Sequence, residues 1–135
     1  MIIDAKGLIL GRMATKVAKT ALLGEEVIVV NCEKSLVKNF DSFSKKYTKL
    51  TFEIGRPNKG PFIHRRPDFF VRRIIRGMLP YKTSRGVEAY KRIKCYIGFP
   101  EDIKGDVEKV EAAETENVSK YATIEKVCLR LGGKA

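Results

Sequence analysis

The sequence predicts an α/β fold, on three grounds. A short apolar start at residues 1–4, a helical pattern and then Val27-Ile28-Val29-Val30 follow one another within thirty residues, the order of a βαβ unit. The four β-branched residues run without alternation, which suits a strand covered on both faces and so a parallel sheet flanked by helices. The length of 135 residues, 44% hydrophobic and 32% charged, is that of one domain with apolar content enough to bury a core without metal or disulfide.

After Ala5-Lys6-Gly7, residues Leu10, Met13, Ala14, Val17, Ala18 and Ala21 recur at α-helical spacing, with Arg12, Thr15, Lys16, Lys19 and Thr20 between them. The small residues on that face favour close packing, and Gly24 falls where a left-handed cap is expected. Phe40, Phe43, Tyr47, Leu50 and Ile54 keep helical spacing, while Leu50, Phe52 and Ile54 also alternate with Thr51 and Glu53 as a strand would. An N-cap at Asp41 or Ser42 tips this region toward helix. Residues 55–66, with Pro57, Pro61, Gly55 and Gly60, form an exposed and basic loop.

Residues 67–79 are the most legible element. Pro67 fits the first helical position, Asp68 places negative charge in the first turn, and Pro80 is the stop. At about 100° per residue, Phe70, Ile74, Met78, Val71, Ile75 and Leu79 fill one arc, and Arg72, Arg76 and Arg73 fill the other, with Phe69 among the arginines. After a turn at 81–83, residues 84–91 predict a short helix and residues 93–97 a strand ending at Gly98. Residues 101–117 are acidic and less regular, a loosely packed excursion. A last helix over 123–131 turns Ile124, Val127, Cys128 and Leu131 inward and ends at Gly132-Gly133. No internal repeat or second domain is visible, so residues 1–135 are expected to form one domain.

Fifteen of the 27 Lys and Arg lie between Lys45 and Lys94, against three acids, Glu53, Asp68 and Glu88. That segment holds +12 of a chain total of +11, leaving −1 for everything else. Charge gathered into one segment makes a field that a polyanion can find and hold. Arginine's planar fork donates two bonds to one phosphate, and exposed rings stack on unpaired bases. The candidate RNA contacts are Arg56, Lys59, His64, Arg65, Arg66, Phe69, Arg72, Arg73, Arg76, Lys82, Arg85, Lys91, Arg92 and Lys94. Phe69 is the foremost stacking ring, and Arg12, at the cationic start of the first helix, is a secondary contact. Any one of these arginines alone is an ordinary solvated charge or salt-bridge partner; the argument rests on a block with too few acids to neutralise it. Phe70, Tyr90 and Tyr96 are expected in the core, and Phe62 fits either setting.

The remaining motifs exclude more than they propose. Cys32, Cys95 and Cys128, spaced 63 and 33 residues apart, match neither a disulfide framework nor paired CxxC ligands, and are expected as reduced, partly buried thiols. No apolar run approaches the roughly 20 residues of a membrane span. The start has neither a basic n-region nor a long apolar h-region, so the expectation is a cytoplasmic chain. Asn117-Val118-Ser119 spells a glycosylation site that such a chain would not present to the secretory machinery. Gly7 and Gly11 lack the GxGxxG spacing, and residues 55–61 lack the closing Gly-Lys-Ser/Thr of a phosphate loop, their prolines removing needed amides. His64 is the only histidine, without clustered Cys or carboxylate partners, and the acids of the last third show no pairing for acid–base work. The expectation is therefore no catalytic site, no metal, no cofactor and no small-molecule substrate.

Asp4-Ala5-Lys6-Gly7, Gly11-Arg12-Met13-Ala14, residues 27–31 with Glu33-Lys34, Arg76-Gly77-Met78-Leu79-Pro80, Arg85-Gly86 and Arg92-Ile93-Lys94-Cys95-Tyr96-Ile97-Gly98 occur in that order. Together they resemble the L-thirteen family of large ribosomal subunit proteins, in its archaeal and eukaryotic form, over about residues 1–100. The resemblance implies a three-layer α/β/α domain around a small, mainly parallel four-stranded sheet. It implies a structural and assembly role in the large subunit, with 23S-type rRNA and neighbouring ribosomal proteins as partners. The short start and the wording of residues 63–67 favour the archaeal form. The family's basic surface maps onto residues 56–66, the arginine helix and the stretch from Pro80 through Lys94. Gly77 would let backbone or RNA approach the last helical turn. The rival is a general nucleic-acid-binding protein outside the ribosome, using the same block.

Overall fold

The computed structural model describes all residues except 104, 109, 116, 117 and 135, and the side chain of residue 118. Asn117 of the glycosylation spelling and parts of the acidic segment therefore lie outside the described residues. The chain runs β1 (Ile2–Asp4), α1 (Leu10–Leu22), β2 (Val27–Val30), β3 (Leu36–Lys38), α2 (Phe40–Thr48), α3 (Pro67–Gly77), α4 (Ser84–Lys91), β4 (Ile93–Cys95), β5 (Val107–Glu108), β6 (Tyr121–Thr123) and α5 (Ile124–Arg130).

The expected βαβ unit forms. β1 and β2 pair in parallel, Ile3 opposite Val29, and α1 makes the crossover with Leu10, Met13, Ala14, Val17, Ala18 and Ala21 all buried. Gly24 takes a positive φ of 105° just beyond it, the conformation glycine adopts without penalty. Val27, Val29 and Val30 are wholly buried. Successive strand residues face opposite sides: Ile3, Val27, Val29 and Ile93 form a fully buried face, whereas on the other face Val30 is buried, Ile2 and Ile28 are half-buried and Lys94 is exposed. The full cover expected of the unbroken apolar run is therefore found on one face only. The sheet is parallel throughout, in the order β4–β2–β1–β5. This is the α/β architecture that the sequence and the family resemblance implied.

Four expectations change in detail. The helix expected over 40–54 is α-helical only to Thr48, winds on as a wider π turn at Lys49–Glu53, and becomes extended at Ile54. Thr48 and Thr51 hydroxyls donate to the carbonyls of Ser44 and Tyr47 at 2.9 and 2.7 Å, local bonds that compete with the regular ladder. Neither Asp41 nor Ser42 caps α2; Asn39, left-handed at φ 54°, opens it, and Asp41 instead accepts from Arg130 at 3.0 Å. The strand expected over 93–97 stops at Cys95 because its partner β2 stops at Val30. Asn31 then turns left-handed, and the Asn31 and Cys32 amides donate to the carbonyls of Gly98 and Tyr96. Within the acidic segment expected to be loosely packed, the described residues include the edge strand β5 and a turn at Glu111–Ala113. The Ala113 carbonyl there accepts from the Ile9 amide at 2.8 Å.

A second, two-stranded antiparallel sheet pairs β3 with β6, Leu36 opposite Thr123. It hands the chain to α5, whose Ile124, Val127 and Cys128 are buried as expected, followed by buried Leu131. One continuous apolar cluster joins α1, the sheet, α3 and α5.

Candidate nucleic-acid interface

α3 is fixed from beneath before it presents anything outward. Phe70 keeps 1% of its surface and packs edge-on against Phe43 and Tyr47, with Val71 and Ile75 buried beside it. Burial pushes the Tyr47 hydroxyl above its ordinary range, opposed by the nearby Arg73 charge. Met78, placed by periodicity on the apolar arc, is exposed because the helix ends at Gly77 and the 3.6-residue period ends with it. At the other end Asp68, 9% exposed, accepts from the Phe69 amide at 2.8 Å and from Arg66 Nη2 at 2.7 Å. It closes the first turn and holds Arg66 at the same time.

The three arginines of the opposite arc are half-buried, each against a particular partner. The Arg72 guanidinium lies 4.4 Å from the Tyr90 ring centroid and donates to the Tyr90 carbonyl at 3.4 Å, while its buried Nε–H has no acceptor among the described residues. Arg73 donates to the Phe62 carbonyl at 2.8 Å, tying the basic loop to the helix. Arg76 sits 5.1 Å over the Tyr81 ring. Tyr90 is thus half-buried as a platform for Arg72. Tyr96 departs from its expected core position, being 37% exposed just past the end of the edge strand β4.

The loop differs in kind. Gly55, at φ 91°, could not carry a Cβ without striking the Gly60 carbonyl oxygen, and the amides of Lys59 and Gly60 both donate to the Arg56 carbonyl. This tight turn leaves Arg56 and Lys59 exposed. Phe62, for which the sequence allows either setting, lies outside at 65% exposure. Arg65 stands 5.6 Å from the ring of exposed Phe52. The His64 ring is 5.4 Å from that of Phe69, and the Arg66 guanidinium 5.0 Å from it; Phe69 remains 42% exposed.

Lys82, Arg85, Lys91 and Lys94 are exposed. Arg92 is half-buried, donates to the Ala21 carbonyl at 3.4 Å and lies 3.8 Å from Glu88. Within 45–94 only Arg66 and Arg92 meet a carboxylate among the described residues. Arg12 is exposed and donates to the Ala112 carbonyl at 3.3 Å. Among the described residues, nothing outside its own helix and neighbours approaches Gly77 within 4 Å of where a Cβ would sit. The close approach belongs instead to Gly86, where a Cβ would strike the Pro80 carbonyl oxygen. Thr83 caps α4 there, accepting from the Gly86 amide at 3.3 Å and donating to that same Pro80 carbonyl at 2.8 Å. Sequence reasoning missed this seat, although a Thr three residues before a glycine at a helix start was its available signal.

The Cys32 and Cys128 thiols are held in the neutral form. Burial and a bond to Cys95 drive the Cys32 thiol far above its ordinary range, with the bond to Cys95 the larger cause. Burial, with the Asp68 carboxylate adding, pushes Cys128 up to about 12. No cluster of three or more His, Cys, Asp or Glu able to hold a metal occurs among the described residues.

The family model described as ribosomal protein L13 matches residues 1–102. The chain is 44% identical to the large ribosomal subunit protein uL13 of Methanococcus maripaludis, over 99% of this chain and 98% of that protein. It is 42% identical to that of Methanocaldococcus jannaschii, over 98% of each. With the protein of the same name from Archaeoglobus fulgidus it shares 41% identity, over 97% of this chain and 86% of the relative.

Proposed function

The chain belongs to the ribosomal protein L13 family, and from that premise we propose that it is a structural constituent of the large ribosomal subunit, binding large-subunit rRNA through the surface of residues 45–94. The family is one of ribosomal structural proteins rather than enzymes. The single observation that supports the RNA-binding reading is the imbalance of this surface: every cation in it but Arg66 and Arg92 lacks a carboxylate partner among the described residues.

Two kinds of contact follow. The exposed group of Arg56, Lys59, Arg65, Lys82, Arg85, Lys91 and Lys94 supplies phosphate-directed charge that positions the protein, and His64 adds a ring beside Phe69. Arg66, Arg72, Arg73, Arg76 and Arg92, already oriented by protein partners, present guanidinium edges at fixed places, and Phe69 adds a ring. Arg12 is a secondary contact. Recognition is mostly by shape and phosphate spacing, because side chains cannot read the deep, narrow major groove of A-form RNA. Neutralising folded rRNA in this way is how the protein would serve assembly. Residues 1–135 act as one domain on cytoplasmic ribosomes beside neighbouring large-subunit proteins; no helix among the described residues is long and apolar enough to cross a membrane.

Salt titration tests the reading. With about eight phosphates contacted, log affinity for large-subunit rRNA falls against log salt with a slope of roughly −6 to −7, and a near-flat slope overturns the electrostatic argument. Competition separates the rival, because equal affinity for duplex DNA and large-subunit rRNA would favour general nucleic-acid binding. Cosedimentation with large subunits, reversed only by high salt, is the expected behaviour in extracts.

A further inference from the structure

A cavity of about 330 Å³ opens between the first turns of α3 and the end of β4, lined by Arg66, Asp68, Phe69, Arg72, Lys94 and Tyr96, with Cys95 behind them. Its wall mixes three chemistries. Three cations supply phosphate-binding charge. Two rings, Phe69 and Tyr96, stay 42% and 37% exposed. One nearly buried carboxylate, Asp68, already accepts one hydrogen bond on each oxygen, from Arg66 and from the Phe69 amide. The buried Arg72 Nε–H beside it has no acceptor among the described residues.

A bare phosphate does not suit this combination, since a carboxylate repels it and the rings offer it nothing. The flank of an RNA duplex does not suit it either, because paired bases keep their faces stacked inside the helix. A nucleotide turned out of its stack has all three complements at once: a ring face for the aromatics, N–H groups on its edge for the carboxylate, and a phosphate for the cations. The volume lies at the small end of ligand pockets, roughly 300–1,000 Å³, the scale of one nucleotide. We propose that this cavity takes a single unstacked nucleotide of the bound RNA, its base against Phe69 and Tyr96 and its phosphate on Lys94 and the Arg66–Arg72 side. The proposal rests on the rRNA-binding reading and adds to it one site that recognises an unpaired base.

The chain contains no Trp, so Phe69→Trp introduces a lone indole at the cavity. Its fluorescence is expected to be quenched on titration with large-subunit rRNA and not with a fully paired RNA duplex of equal length. In the second arm, Phe69→Ala combined with Tyr96→Ala lowers rRNA affinity roughly 5- to 150-fold, the equivalent of about 1–3 kcal/mol for the missing stacking. The salt slope stays unchanged because no charge is removed. Phe99→Ala, which removes an exposed ring outside the cavity, leaves affinity as it was. Equal quenching by the duplex, unchanged affinity in the double variant, or an equal loss in Phe99→Ala overturns the proposal while a steep salt slope keeps the rRNA reading. A flat slope in the unsubstituted protein defeats that reading and the proposal with it.

Discussion

Helix α3 and the loop that precedes it carry the same kind of side chain under opposite constraints. Arg72, Arg73 and Arg76 are each engaged by a protein partner, the Tyr90 ring, the Phe62 carbonyl and the Tyr81 ring. Arg56 and Lys59 project from a turn whose backbone closes on itself and leaves their side chains in solvent. A long cationic side chain free in solution surrenders about 2 kcal/mol of rotamer entropy when it is pinned. In α3 much of that cost is met during folding, so in the proposed rRNA contact these arginines would have less left to lose. The difference teaches that one basic segment can supply both oriented donors and a diffuse field, and that substitutions should tell the two apart.

The largest effect is expected under the helix. Phe70→Ala removes the ring that seats α3 and should lower stability by about 3–5 kcal/mol in denaturant unfolding; a loss under about 1 kcal/mol, the size of an average substitution, would mean that α3 is not held from below. Next, Arg72→Gln strips the cation from the Tyr90 face together with its packing, and should cost about 1–2 kcal/mol. Arg56→Gln and Lys59→Gln should change stability by no more than about 0.5 kcal/mol. Equal losses at Arg72 and Arg56 would erase the distinction between helix and loop. On the helical arc alone, replacing Arg72, Arg73 and Arg76 together by Gln would spare the fold; their half-burial predicts instead a drop in stability alongside the weaker RNA binding.

Binding sharpens the contrast from the other side. Arg56→Gln with Lys59→Gln should make the salt slope shallower by roughly 0.7–0.9 for each phosphate that is no longer neutralised, at constant melting temperature. A smaller effect concerns pH. Burial raises the folded Cys128 value to about 12 from 9.0, so the neutral thiol favours the folded state. Its contribution is complete below about pH 9 and fades as pH climbs toward 12. Thermal unfolding of Cys128→Ala against the unsubstituted protein should show a gap that is constant from about pH 7 to 9 and narrows above it.

The parts legible in the sequence were those whose signal is local. The faces of α1 and α5, and the floor of α3 at Phe70, Val71 and Ile75, follow from spacing and end signals within one element. The β3–β6 ribbon was illegible because two three-residue strands far apart in sequence carry no periodicity of their own. Tyr96 was misplaced because nothing local tells an edge strand from a central one, and exposure turns on which neighbour is absent. Arg73 and Arg92 bind backbone carbonyls of Phe62 and Ala21, acceptors that every residue type possesses. The cations themselves could be counted; their division into held and free could not.

The end of the chain fastens what comes before it. β6 pairs with β3, the Ile124 amide donates to the Ser35 carbonyl at 2.9 Å, and Gly133 lies so close to the Arg65 carbonyl that a Cβ would strike it. Translation proceeds from the amino end, so the cationic stretch leaves the exit tunnel ahead of the residues that clasp its root. A newborn polypeptide thus has its full positive field before its architecture is locked, and completion of the last helix gives that field a surface of defined shape.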